Sequence, residues 1–194
     1  MRRGNLSVVA ALVMAVATAC GGAPTAQTSP TPSAGTFPSA GASPTPSAKA
    51  GTLDPCLLVT RQEASALTGV ALGAGKKTTF ATNHQQCLYA GPNSYTFTVG
   101  IIQASSPAEA QAGMQAAVAD IQSQTDFSVT VGQLPSFADG GVVVQGGVSG
   151  ASVAGIYGVH GSVAFGFVAF GLNHSVPTNA AMLPTATAML GRLP

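Results

Sequence analysis

Residues 142–170 read VVVQGGVSGASVAGIYGVHGSVAFGFVAF, and this stretch decides the class of fold. Its β-branched and aromatic residues are typical of strands, and turn-forming glycines divide them into runs. We predict three strands, at about 142–145, 152–159 and 162–170. The pair His160-Gly161 predicts a hairpin turn between the last two, and such short connections favour antiparallel pairing.

The chain before this stretch contains two further strand patterns and a third, shorter one. Residues 85–90 and 95–104 are apolar and β-rich, and the turn Gly91-Pro92-Asn93-Ser94 separates them. Phe127, Val129 and Val131 alternate with polar residues, which predicts a half-buried strand.

A capping box marks the first predicted helix. Thr60 and Glu63 are three residues apart, so each side chain can satisfy a free backbone N–H of the other residue. We therefore predict a short helix over 61–68, which ends at Gly69.

A second capping box, Ser106 with Glu109, marks a longer helix, and Pro107 fits its first position. Five apolar residues follow at helical spacing and predict one buried stripe that runs to about Ser123. They are Ala110, Met114, Ala117, Val118 and Ile121.

The C-terminal segment repeats the spacing of this stripe with Met182, Ala186, Met189, Leu190 and Leu193. Pro184 interrupts the pattern, so we expect the regular helix to begin near it. Helices and strands in this order predict an α+β fold, in which an antiparallel sheet packs with about three helices as a two-layer or three-layer sandwich.

The N-terminus has the pattern of an export signal. Arg2 and Arg3 precede a mostly apolar run over 6–19, which is too short to span a membrane. The run ends in Ala17-Thr18-Ala19-Cys20, which resembles the lipobox of bacterial lipoproteins. We predict a signal peptide over 1–19 and lipidation of Cys20, with diacylglyceryl and palmitate chains on a cell-membrane protein. The alternative is an ordinary signal peptide of a secreted protein that happens to contain a cysteine.

Residues 20–52 have the composition of a tether. Of the 32 residues over 21–52, 29 are Gly, Ala, Pro, Thr or Ser, so little apolar surface exists to offset the entropy of ordering. We interpret 20–52 as a disordered spacer after the lipidated cysteine, and 53–194 as a single globular domain. Over 53–194 the net charge is −2, which argues against a nucleic-acid partner.

Two cysteines remain in the predicted domain. Cys56 and Cys87 form the only pair in an exported segment, where disulfides persist, and we predict a bond between them. The alternatives are a redox pair or a metal site, but no Cys-x-x-Cys spacing exists and two thiols do not complete a zinc site.

The chain resembles a group of actinobacterial lipoproteins whose domains open with Asp-Pro-Cys-x-Leu-Leu-Thr and place a partner cysteine in a Cys-x-Tyr or Cys-x-Trp strand. The resemblance lies in residues 54–69, which begin Asp54-Pro55-Cys56, and in Cys87-Leu88-Tyr89. The loop over 134–140 is similar to their Pro-Gly-Leu-Gly-Asp turn, except at Ser136 and Phe137. The resemblance implies a lipid anchor, a disulfide and an α+β fold related to Mog1/PsbP-like or cystatin-like sheets.

The sequence shows no catalytic motif, and we predict no catalytic residue, metal or cofactor. His84, His160 and His174 have no nearby carboxylate at a useful spacing, and we interpret His160 and His174 as solvated. Lys76-Lys77 predicts a solvated loop or a weak contact with anionic lipid.

Ten glycines over 140–171 are the least ordinary feature of the domain. They could shape a concave sheet for an apolar ligand, or they could allow close packing of small residues. We therefore expect a non-enzymatic binding module for a lipid-like molecule, a wall component or an envelope protein. The alternatives are a hydrolase of envelope material and a purely structural or modulatory partner protein.

The anchor is tested by Cys20→Ala, which removes the thiol that would carry the acyl chains. We expect the variant to leave the membrane fraction, because the acyl chains that would anchor the protein in the membrane are absent from it. Fractionation followed by immunoblotting measures this, and a variant that still sediments with membranes contradicts the anchor.

Overall fold

The structure is a computed structural model that describes residues 53–123, 128–134, 137, 139–148 and 150–194. The signal segment 1–19 and the tether 20–52 lie outside these residues, and so does Phe127 of the predicted short strand. The assignments of Cys20 and of the tether therefore stay predictions.

Four helices and seven strands make up the described part of the chain. The helices are α1 (Pro55–Leu58), α2 (Arg61–Thr68), α3 (Pro107–Ser123) and α4 (Asn179–Leu190). The strands are β1 (Lys76–Ala81), β2 (His84–Ala90), β3 (Thr96–Gln103), β4 (Ser128–Gln133), β5 (Gly141–Val148), β6 (Ala151–His160) and β7 (Val163–Leu172). Within the described residues, none of the four helices has the length and apolar composition of a transmembrane span.

All seven strands form one antiparallel sheet in the order β1-β2-β3-β7-β6-β5-β4. Two meanders, β1 to β3 and β4 to β7, meet at the central pair β3–β7. That pair runs in unbroken register from Thr96 opposite Phe170 to Gln103 opposite Val163. The predicted α+β class with an antiparallel sheet is confirmed.

Helices cover both faces of the sheet. On one face α1, α2 and α4 bury the main core, which includes Phe97, Phe167, Ile156, Met182 and Met189. On the other face, Ala110 and Met114 of α3 pack against residues of β6 and β7. The arrangement is a three-layer sandwich with one helix on one face and three on the other.

The capping box predicted for α2 is present, the one predicted for α3 is present only in part, and one prediction about α4 is wrong. At α3 the Ser106 hydroxyl accepts from the backbone N–H of Glu109, but the Glu109 carboxylate accepts from the N–H of Ser105 instead of Ser106. Thr60 and Glu63 form the capping box of α2, and Gly69 ends that helix at φ 68°. Helix α4, however, begins after Thr178 and contains Pro184 in its interior. The Thr178 hydroxyl accepts from the backbone N–H of Ala181, so the first turn is fixed although the Pro184 ring removes one later hydrogen bond.

The segment at Lys76-Lys77 is the first two residues of the edge strand β1, not the predicted loop. The first four residues of this strand are polar, so its sequence resembles that of a loop. Charged residues on an edge strand discourage pairing with other chains. His160, expected in a turn, is the last residue of β6, and Gly161 takes the turn at φ 54°.

Cys56 and Cys87 form a disulfide that ties α1 to β2 across a separation of 31 residues. A cross-link that closes a loop of this length lowers the entropy of the unfolded chain and so stabilises the fold by roughly 3–4 kcal/mol. The buried Tyr89 strengthens the same junction, since its hydroxyl lies 2.6 Å from the carbonyl oxygen of Val59 and 3.1 Å from that of Cys56.

The C-terminus is held to α2 by an ion pair. The Arg192 guanidinium binds both carboxylate oxygens of Glu63 and also donates to the carbonyl of Leu58 at 2.7 Å. Hydrogen bonds from Arg192 and from Thr60 lower the pKa of Glu63 from 4.5 to about 2. One carboxylate therefore caps α2 and fixes the last residues of the domain.

The ion pair predicts a specific dependence of stability on pH. Because the pKa of Glu63 is lower in the folded chain, its contribution is present above about pH 4.5 and is lost as the pH falls toward 2. Both side chains are about a third exposed, so screening limits the contribution to about 0.2–1 kcal/mol. Glu63→Gln should remove this part of the acid-dependent loss in the free energy of unfolding.

Urea denaturation at several pH values measures the effect. Arg192→Gln should remove the larger part of this component and leave the part due to Thr60, which still donates to Glu63. The double variant should add little to Glu63→Gln, since Arg192 acts on this component through Glu63. An acid-dependent loss unchanged by either substitution would contradict the assignment.

Candidate ligand-binding cleft

The two faces of β3 differ sharply in side-chain size. Phe97, Val99 and Ile101 point into the main core, whereas Thr96, Thr98 and Gly100 face α3. Ile102 is the one large side chain of β3 on the α3 side. Alternate residues of a strand lie on opposite faces, so this difference is built into the sequence. The face beneath α3 therefore has less volume to fill the space under the helix.

A row of paired residues across the sheet makes the floor of this space. Tyr157 on β6 pairs with Gly166 on β7, which pairs with Gly100 on β3. A Cβ on Gly166 would lie 2.6 Å from the Tyr157 ring, so the ring lies directly over that glycine. A Cβ on Gly100 would meet nothing within 4 Å. The open space thus lies above Gly100, next to the Tyr157 ring.

Helix α3 closes this space only in part. Its N-terminal half packs closely, since Ala110 is fully buried and Met114 nearly so. Farther along, Ala117 belongs to the apolar stripe but is only partly buried, because it lines the open space. Gly113 leaves room as well, as a Cβ there would come no closer than 4.0 Å to Ile102.

The result is a partly open cleft of about 160 Å³ between α3 and the sheet, which we call the α3 cleft. This volume is well above the 10–15 Å³ that one water molecule needs. Its walls are mostly apolar. It is lined by His84, Thr96, Thr98, Gly100, Ile101, Ile102, Gly113, Met114, Ala117, Asp120, Ile121, Val144, Val153, Tyr157, Ala164, Phe165, Gly166, Val168 and Phe170.

Few polar side chains line the cleft. Among the described residues, no hydrogen bond joins His84, Asp120 or Tyr157 to another polar side chain of the lining. Burial raises the pKa of Tyr157 and lowers the pKa of His84, so both are uncharged at neutral pH. His84 lies opposite Ile102 on β3, and Thr96 is six residues farther along the same strand. At about 3.3 Å per residue, His84 and Thr96 are therefore about 20 Å apart.

The other two histidines do not line the α3 cleft. His174 lies beside the Asn93 amide, with 3.1 Å between Nε2 and Nδ2, and its ring meets Tyr95 edge-on. His160 ends β6 opposite Val163. No group of three potential metal ligands occurs among the described residues.

The glycines over 140–171 mostly serve close packing. A Cβ on Gly155 would lie 2.8 Å from the carbonyl oxygen of Phe167, and one on Gly158 would lie 2.7 Å from the Phe165 ring. The glycine that opens the cleft, Gly100, lies outside that stretch, and sequence analysis missed it. The available signal was the alternation in β3 of large core residues with Thr96, Thr98 and Gly100.

Comparisons with known proteins find distant likeness among solved structures. No family model matches the chain, and no curated protein matches it. The fold is similar to that in a crystal structure of the extracellular domain of PknH from Mycobacterium tuberculosis, with 11% sequence identity and a TM-score of 0.49. The match covers 70% of this chain and 92% of that chain.

Proposed function

We propose that this protein is a non-enzymatic binding module of the cell envelope that holds an apolar, lipid-like small molecule in the α3 cleft. The cleft itself carries the proposal, because it is apolar, partly open and unfilled above Gly100. Ligand sites of this kind combine apolar walls with a small number of polar groups that orient the ligand. Thr98 and the Tyr157 hydroxyl supply such groups.

Binding is favoured over hydrolysis by how the polar groups are placed. Nucleophilic catalysis needs a hydroxyl within hydrogen-bond reach of a histidine that a carboxylate orients. In the described part of the cleft His84 has no hydrogen bond to Asp120 or to a hydroxyl. The lining instead supplies apolar area, which is what drives binding of an apolar ligand.

Binding is also favoured over a purely structural role. Large apolar side chains with substantial exposure are few among the described residues, namely Leu57 and Leu88. Partner surfaces bring apolar residues together in larger patches. The apolar surface of this domain is concentrated inside the cleft instead.

The proposed location follows from the N-terminal sequence. Acyl chains on Cys20 would anchor the chain to the outer face of the cell membrane, with the domain beyond the tether. The tether would reach roughly 30 Å as a flexible coil and about 100 Å when extended. A lipid-binding domain on such a tether would meet ligands both at the membrane and some distance from it.

Filling the cleft tests the proposal. Gly100→Val places a branched side chain in the open space, where a Cβ meets no atom within 4 Å. We expect the variant to keep or slightly raise its thermal stability, because Val favours a strand and buries apolar surface. We expect binding of the uncharged dye Nile red to fall at least tenfold, measured by fluorescence in a Cys20→Ser background that carries no acyl chains.

Gly191→Val is the matched control. Gly191 is exposed at the end of α4, on the opposite face, and a Cβ there makes only an ordinary 3.6 Å contact. Equal dye binding by the two variants and the parent chain would refute the site. Turnover of an ester substrate that His84→Ala abolishes would instead favour the hydrolase.

A further inference from the structure

The face of the sheet that carries the cleft continues beyond it toward the β1 edge. Paired residues of neighbouring strands share a face and lie about 5 Å apart. Thr98, which lines the cleft, pairs with Leu88 on β2. Leu88 pairs in turn with Lys76 on β1, so this row leads from the cleft to a cation about 10 Å away.

The side chains along this row change from apolar to charged. Leu88 is 36% exposed, an unusual exposure for a large apolar residue in this domain. Lys76 is exposed, and within the described residues it forms no ion pair. Its neighbour Lys77 faces the other way and pairs with Asp54 at 3.4 Å.

Among the described residues, Lys76 is the cation on this face of the sheet. Of the other cations in the described residues, Arg61 belongs to α2 and Arg192 pairs with Glu63, both on the opposite face. The one carboxylate of the lining, Asp120, lies three residues before the end of α3. That helix leads to β4 at the far edge of the sheet from β1.

We propose that the ligand is an anionic amphiphile whose apolar chain occupies the α3 cleft, crosses Leu88 and places a carboxylate or phosphate beside Lys76. This inference rests on the proposed function, and it specifies the charge of the ligand and its orientation on the sheet. The apolar chain supplies most of the affinity, as burial of each methylene is favourable. The ammonium group supplies selectivity between ligands with equal chains, because complementary charges discriminate partners more than they tighten binding.

Two ligands of equal chain length test this assignment, laurate with its carboxylate and lauryl alcohol without charge. Dissociation constants come from displacement of Nile red from the full chain carrying Cys20→Ser. We expect Lys76→Gln to weaken laurate about threefold at low salt and to leave lauryl alcohol unchanged, as suits one exposed ion pair. The effect should shrink in high salt, because salt screens exposed charges.

Lys77→Gln is the matched control, since it removes an adjacent charge from the other face. It should leave both ligands unaffected. If laurate and the alcohol bind the parent chain equally, or if the two lysine variants weaken laurate alike, Lys76 does not receive the anionic group although the cleft still binds apolar chains. If neither ligand displaces the dye, the proposed function fails as well.

Discussion

The pairing of β3 with β7 is the constraint on which the rest of the structure depends. Two meanders, each local in sequence, become one sheet only through this pair, and its paired residues are 60 to 74 positions apart. Most of the large side chains of both strands, among them Phe97 and Phe167, fall on one face and form the core under three helices. The cost of closing so long a loop is offset by this apolar burial.

The same pairing creates the cleft. Because register fixes which residues lie opposite each other, it places Gly100 beside Gly166 on the face away from the core. Helix α3 connects β3 to the far edge of the sheet and must cross this face. It packs closely at Ala110 and Met114 but leaves the space above Gly100 unfilled. The unfilled space is thus a consequence of small residues in β3 beneath a single helix.

Sequence reasoning found the elements that have local signals. The capping box at Thr60, the Ser106 cap of α3, the turn at Gly161 and the apolar stripe of α3 each depend on residues close in the chain. The strand at Lys76 was missed because an edge strand with polar side chains resembles a loop. The cleft was beyond sequence reasoning, since it arises where β3, β6, β7 and α3 meet. The alternation in β3 shows which face of the strand carries small side chains, but it does not show which helix packs over that face.

The most direct test is to locate an apolar ligand on the domain in solution. An uncharged alkyl chain with a nitroxide spin label would broaden the amide NMR signals of residues near its binding site. The account predicts loss of intensity at Gly100, Gly166 and Ala117, with the signals of Ala64 and Ala186 on the opposite face unchanged. Broadening centred on that opposite face, or none at any amide with the ligand in excess, would contradict a binding site in the α3 cleft.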